Sequence, residues 1–311
     1  MSMRVTFLGT SGAVPTTERA PSALLVNREG ERFLFDCGEG TQRQMMRFGT
    51  GFNVTHLFVT HLHGDHILGI PGLIQSWDFN GRDEPLAIHV PPGSREHIKS
   101  LVHAGGYDPS YAVNIHEVAP GKTALAGDGY EVRTFKTNHR TKSQGYAIVE
   151  ADRPGRFDRE KAEEELGIPP GPMYGKLHNG EAVELDDGTV VQPDQVVGEP
   201  RPGRTLVYTG DTRPVQATVD IAHDADLLIH DATFTAEEAG RARQTYHSTA
   251  GEAADVASRA NAKRLALTHI SSRYAGNASP IEREGREGFD GECFVPDDGQ
   301  KFDVPFPDDE E

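Results

Sequence analysis

The chain is 311 residues long, carries a formal net charge of −17 at pH 7, and uses 23 arginines against 8 lysines. An acidic excess of that size excludes a protein that holds polyanions by bulk charge, so a nucleic-acid partner would have to be met by a local patch of Arg and Lys. Two cysteines, Cys37 and Cys293, exclude a disulfide framework, and no run reaches the roughly eighteen apolar residues of a membrane helix, so a soluble, cytoplasmic protein with no membrane partner is expected.

Few lysines beside many carboxylates predict a halophilic-type acidic surface, kept in solution by hydrated Asp and Glu in a salty cytoplasm. The length suits a single α/β domain spanning residues 1–311. In chain order, Arg4 to Leu8 reads as a first strand, closed by the turn Gly9-Thr10-Ser11-Gly12. Ala23 to Val26 and Arg32 to Phe35 read as strands joined by a hairpin turn at Asn27 to Gly30, with a helix following through Gln42 to Phe48. Asp36 ends the second of these strands and fits equally a turn residue or a partner for a metal-bound histidine.

The apolar run His56 to Thr60 then feeds His61, His63, Asp65 and His66, four ligand-type residues within six positions. A strand that ends in a loop lets His61 and His63 converge on one ion, with Asp65 and His66 facing a second. Imidazole and carboxylate together suit zinc, with manganese or iron as alternatives. A helix (Gly69 to Trp77), a strand (Leu86 to Val90) and a helix (Ser94 to His103) follow. Strands near Val113 to Val118, Lys122 to Ala124, Tyr130 to Thr137 and Gln144 to Val149 come next, and His139 lies just past the third of them.

From residue 151 to 203 glycine, proline and charge replace the core pattern. This reads as an arm projecting from the domain, with a short acidic helix near Arg159 to Leu166 and a shaped surface around Gly171-Pro172-Met173-Tyr174-Gly175-Lys176. The core resumes with strands Thr205 to Thr209, Leu227 to Asp231 and Arg264 to Thr268, delivering Asp211 and His269. Between them, Ser248 or Thr249 can cap a helix Ala250 to Ala260. Residues 280–311 read as an acidic, turn-rich and partly mobile tail.

His61, His63, Asp65, His66, His139, Asp211 and His269 therefore share one placement, at or just beyond the C-terminal end of an expected strand. Seven ligands exceed one tetrahedral ion and suit two that share a carboxylate. His89, His103 and His178 lack this context, and His230 reads as a core residue or a partner behind the ligands.

The box His61-x-His63-x-Asp65-His66, with Asp211 in Gly-Asp-Thr and a late His269, resembles the metallo-β-lactamase superfamily. Within it the chain is similar to the tRNase Z family of tRNA 3′-processing endoribonucleases, through Leu8 to Gly12, Phe35 to Gln42, Tyr246-His247-Ser248-Thr249, Thr268 to Tyr274 and the Gly171-Pro172 arm. The resemblance implies an αββα four-layer sandwich with a protruding arm and a homodimer in which the arm grips tRNA bound to the neighbouring subunit. It implies two zinc ions per subunit, one held by His61, His63 and His139, the other by Asp65, His66 and His269, with Asp211 bridging. It implies hydrolysis of one phosphodiester of precursor tRNA, releasing the 3′ trailer and leaving a 3′-hydroxyl and a 5′-phosphate. Asp65 would accept a proton, and His247, oriented by Asp231, would supply one. Arg273, Gly171, Pro172 and Lys176 would touch the RNA. Where similar sequences often read His-Glu-Ala-Thr, this chain has His230-Asp231-Ala232-Thr233. The acid is one methylene shorter, so its reach to His247 is a question of geometry.

Two other readings fit parts of the pattern. A hydrolase of a small ester, thioester or cyclic phosphate would use the same ligands but has no need of a distant arm. A non-catalytic RNA-binding scaffold has no need of two ions around an open water site.

Overall fold

The computed structural model describes residues 2–307 and falls into two compact units. The larger comprises residues up to Val149 together with Arg204–Pro305. Its uninterrupted apolar runs are strands buried on both faces, as expected where a sheet is covered on each side. Phe33, Phe35 and Phe58 point one way into an inner core, while Leu34 and Leu57 between them point to an outer one. The same alternation places Leu206, Tyr208, Leu227 and Ile229 inside and Val207 and Leu228 outside.

One sheet runs in the order Lys301–Asp303, Met3–Gly9, Ala23–Arg28, Glu31–Phe35, His56–Phe58, Leu86–Val90, Val113–Glu117, parallel from the fourth strand onward. The other runs Glu292–Phe294, Arg264–Thr268, Leu227–Asp231, Thr205–Tyr208, Gln144–Glu150, Tyr130–Lys136, Thr123–Gly127, parallel through its first four. Aromatic residues of both sheets fill the space between them. Helices Thr41–Arg47, Ile70–Phe79 and Arg95–Val102 cover the first sheet, and Gln216–Ile221, Ala250–Arg259 and Ser279–Gly288 the second. The result is the four-layer αββα sandwich. Each fully buried Leu or Phe in these layers contributes about 2 kcal/mol.

Two crossings bring the loops of the two sheets together. Ser11–Gly12 pairs in parallel with Ile270–Ser271. Gly210, at φ +58°, lies so close to Thr60 that a Cβ there would sit 2.7 Å from the threonine methyl. Only glycine meets both demands.

The acidic C-terminal segment corrects the expectation of turns. It forms the helix Ser279–Gly288 and the strands Glu292–Phe294 and Lys301–Asp303, the last at the edge of the first sheet. Its charges mislead because several act as backbone partners: Glu284 accepts from Ala236 N and Gly251 N, both at 2.7 Å. Gly285 allows the helix to close on Leu267 and Cys293. Residues 308–311, also part of that expected tail, lie outside the described residues.

The second unit comprises Glu150–Gly203 with Phe306 and Pro307. It has its own small core of Ala162, Ile168, Leu177, Val183, Val191 and Val196. The acidic turn at Lys161–Glu165 is a π-helix, Pro172–His178 is an α-helix, and Val183–Glu184 pairs with Val190–Val191. Pairing of Arg153 with Arg201 and of Phe157 with Val197 forms its stem.

Candidate metal centre

Just past the strand His56–Phe58, the Thr60 amide donates to Asp36 Oδ1 at 2.8 Å, and the chain then turns to present His61 and His63. Asp65 and His66 follow on the short helix Gly64–Ile67. His139 arrives after Tyr130–Lys136, Asp211 after Thr205–Tyr208, and His269, at φ +61°, after Arg264–Thr268.

These seven side chains meet in two groups that share Asp211. In the first, His61 Nε2 is 2.9 Å from His63 Nδ1, which is 3.2 Å from His139 Nε2. Asp211 Oδ2 faces this group, 3.5 Å from His61 Nε2. In the second, Asp65 Oδ2 is 3.2 Å from His269 Nε2, and Asp211 Oδ1 is 3.2 Å from both His66 Nε2 and His269 Nε2. One carboxylate thus turns one oxygen to each group.

The opposite nitrogens are tied outward. His61 Nδ1 meets Thr60 Oγ1 at 3.0 Å, His66 Nδ1 meets Asp36 Oδ2 at 2.8 Å, His139 Nδ1 meets the Tyr246 carbonyl at 3.0 Å, and His269 Nδ1 meets Thr233 Oγ1 at 2.9 Å. Such contacts set each ring's tautomer and aim its other nitrogen inward. Asp36 therefore both turns the chain and holds the His66 ring, and Tyr208 OH donates to the same Oδ2 at 2.9 Å.

A cation fits this donor set. His66 Nε2 and Asp211 Oδ1 face each other at 3.2 Å, buried and without a properly directed hydrogen bond, an arrangement that a metal ion between them would satisfy. Asp36, Asp65, Asp211 and Asp231 bring four carboxylates together among imidazoles, an excess of negative charge that a cation offsets. Burial holds His61 in the neutral form that a ligand needs. Burial would raise Asp211, but His269, His66 and His61 outweigh it and hold the carboxyl well below its ordinary range. Burial also pushes the Cys37 thiol up to about 12, away from the thiolate that a metal would take.

At the rim, Asp231 does reach His247: Oδ2 lies 2.8 Å from Nδ1. The shorter acid is fixed by Thr212 N at 3.0 Å, Thr233 N at 3.0 Å and Thr233 Oγ1 at 2.7 Å. Burial lowers the His247 imidazole, but Asp231 dominates and raises it to about 9. The ring stacks on His269 at 4.9 Å between centroids and lies 5.2 Å from His139. His230 is buried, its Nδ1 2.8 Å from the Asp231 carbonyl.

The remaining expected residues lie elsewhere. Arg273 sits in the turn Ser272–Tyr274, its guanidinium paired with Glu238. Gly171 precedes the helix Pro172–His178, which carries Lys176, in the second unit. Sequence reasoning missed the Tyr246 carbonyl and the Ala13 amide, which donates to Asp65 Oδ2 at 2.8 Å. Every residue type offers a carbonyl and all but proline an amide, so no composition signal marks them. Tyr208 and Thr233 were findable, as Tyr208 ends the strand that leads to Asp211 and Thr233 follows the strand that ends in Asp231.

Residues 195–270 match the β-lactamase superfamily domain, and residues 3–153 match the family described as anti-Pycsar protein Apyc1. The chain is 70% identical over 308 residues to ribonuclease Z of Haloferax volcanii, covering 99% of this chain and 97% of that protein. The chain belongs to the ribonuclease Z family. A second ribonuclease Z, from Halorubrum lacusprofundi, is 68% identical over the full length of both chains. The solved structure of the short form of human tRNase Z is similar with a TM-score of 0.71 at 27% identity, covering 97% of this chain and 100% of that one. The two His/Asp groups are those typical of the metal centre of the metallo-β-lactamase fold, which ribonuclease Z shares. Among the described residues no helix is long and apolar enough to cross a membrane.

Proposed function

We infer that this chain is a metal-dependent endoribonuclease that removes the 3′ trailer of precursor tRNA, leaving a 3′-hydroxyl on the tRNA and a 5′-phosphate on the trailer. The observation that carries the reading is Asp211, one oxygen turned to each ligand group, beside the His247–Asp231 pair in a chain that matches ribonuclease Z end to end. His61, His63 and His139 would hold one zinc ion, Asp65, His66 and His269 another, and Asp211 both; manganese or iron suit the same donors. When bound, the ions supply a nucleophile at neutral pH and offset charge on the phosphoryl oxygens.

The chain's own groups do the rest. Asp65 orients the attacking water and takes its proton. As the bond from phosphorus to the ribose 3′ oxygen breaks, His247 delivers a proton to that oxygen from Nε2, while Asp231 holds Nδ1 and keeps the ring turned. For Arg273 to reach a phosphate, its guanidinium must leave Glu238. Gly171, Pro172 and Lys176 present the arm's contact surface, on a unit with its own core. Homodimerisation is supported by a charge-poor patch, Met46, Phe52 and Phe79 around a shared hollow, since two chains of −17 associate best through an uncharged face. A cytoplasmic location follows from the substrate.

The test is cleavage of a precursor tRNA by the purified protein, with the product ends mapped and metal per subunit measured. Trailer release that stops on chelation and returns with zinc supports the reading. Hydrolysis of small phosphodiesters alone, with precursor tRNA untouched, defeats it.

A further inference from the structure

The loop that carries His247 is held from an unexpected side. Asp211 is followed by Thr212 and Arg213, and this short segment pairs with the loop of His139: Arg213 N donates to the Asn138 carbonyl at 2.8 Å, and Asn138 N donates to Thr212 Oγ1 at 3.0 Å. The same segment is stitched to the His247 loop. Ser248 Oγ donates to the Thr212 carbonyl at 2.6 Å, and Arg213 Nη1 donates to the His247 carbonyl at 2.7 Å.

The Arg213 guanidinium also pairs through both Nη atoms with the two oxygens of Glu252. Glu252 is itself committed: Oε2 accepts from Thr249 N at 2.9 Å, and its amide donates to Thr249 Oγ1 at 3.2 Å, capping the helix that begins just after His247. Arg213 and Glu252 expose only 16% and 28% of their side chains, so this is a fixed fork rather than a solvated surface pair. Next to it, Tyr246 is left-handed at φ +63° and gives its carbonyl to the ligand His139. A non-glycine residue in that region persists only where its surroundings hold it.

We propose that Arg213 and Glu252 form a positioning pair that fixes His247 relative to the ligand loops of His139 and Asp211, so that proton delivery to the departing 3′ oxygen depends on them. The proposal rests on the reading of His247 as proton donor. Neither residue touches the ligand atoms, so each acts through His247 and its loop. The fork holds the carbonyl of His247, and Asp231 holds its ring. Loss of the fork leaves the ring partnered but its height above the site unfixed, and small misplacements cost rate in proton transfer.

The test compares two leaving groups. A ribose 3′ oxygen needs a proton as it departs, whereas a nitrophenolate leaves without one. Zinc-loaded wild type, Arg213→Gln, Arg213→Lys, Glu252→Gln and His247→Ala are assayed on precursor tRNA and on bis(p-nitrophenyl) phosphate, with metal per subunit and Tm recorded. Arg213→Gln should lower kcat on precursor tRNA about ten-fold or more at unchanged KM, with at most about a two-fold loss on the aryl ester. Arg213→Lys, which folds more readily but cannot make the fork, should show the same selectivity in milder form. Joining Arg213→Gln to Glu252→Gln should add little, as expected of one unit.

Equal losses on both substrates, or rates that fall in step with bound metal, would make the pair a structural brace and overturn the proposal. If His247→Ala loses equally on both substrates, the proton-donor reading falls and the inference with it. If His247→Ala is selective and the Arg213 variants are not, the inference alone falls.

Discussion

Asp211 is the residue on which the centre turns, because its two oxygens face different ligand groups. Replacing it with Ala should lower both metals together, read as metal per subunit, while loss of a one-sided ligand such as His63 should lower one first. Asp65→Ala should abolish precursor cleavage with folding and RNA binding largely intact, since tRNA is gripped elsewhere; full activity in the purified variant would remove Asp65 from the mechanism. Gly12 is tested differently. A Cβ there would lie 2.6 Å from His269 Nδ1 and 2.7 Å from the His269 carbonyl. Gly12→Ala should therefore displace His269, cost about 1–3 kcal/mol in unfolding measurements, and weaken the metal site shared with Asp65 and His66. A variant with wild-type metal content and Tm would show that the loop yields freely.

At the scale of elements, the arm separates from the chemistry. All seven candidate ligands belong to the first unit, and the second keeps its own core. The pairings of Arg153 with Arg201 and of Phe157 with Val197 bring the ends of the excursion side by side, so about Arg153 to Val197 can be cut out and the gap closed by a short glycine turn. Precursor tRNA binding should then weaken by a factor of about 10² or more, as when one of two linked contacts is lost. Hydrolysis of bis(p-nitrophenyl) phosphate should persist. Collapse of that small-substrate rate, with the fold intact, would place part of the arm in the catalytic unit.

For the molecule as a whole, charge and substrate oppose each other. RNA binding normally weakens with salt, because each neutralised phosphate releases counterions. Here the net charge of −17 adds a repulsive field, and such a field is screened over roughly 10 Å at 0.1 M salt and about 3 Å at 1 M. Lost local attraction by Arg and Lys and relieved global repulsion change in opposite directions. Precursor tRNA binding should therefore show a shallow or non-monotonic salt dependence, measured with folding followed in parallel. A dissociation constant that rises steeply from low salt upward, while the fold stays intact, would mean that local phosphate contacts dominate.

The gathering of seven His and Asp side chains and the layered fold were legible in the residues, because both rest on local rules. Strands buried on two faces show as unbroken apolar runs, such as Leu227-Leu228-Ile229, and ligands collect where those runs end. The capping box at Thr249 and Glu252 is equally local. Only the tertiary structure decided the roles that depend on distance in the chain. It set Asp36 behind His66, brought the shorter Asp231 within reach of His247, turned an acidic C-terminal segment into helix and sheet edge, and placed Arg213 against Glu252. The side-chain contacts among these join residues up to 39 positions apart in sequence, and the sheet edge pairs Asp303 with Arg4, through carboxylates, guanidinium groups and backbone groups. Such groups look alike on a solvated surface and in a buried network, and only the packing around them tells the two apart.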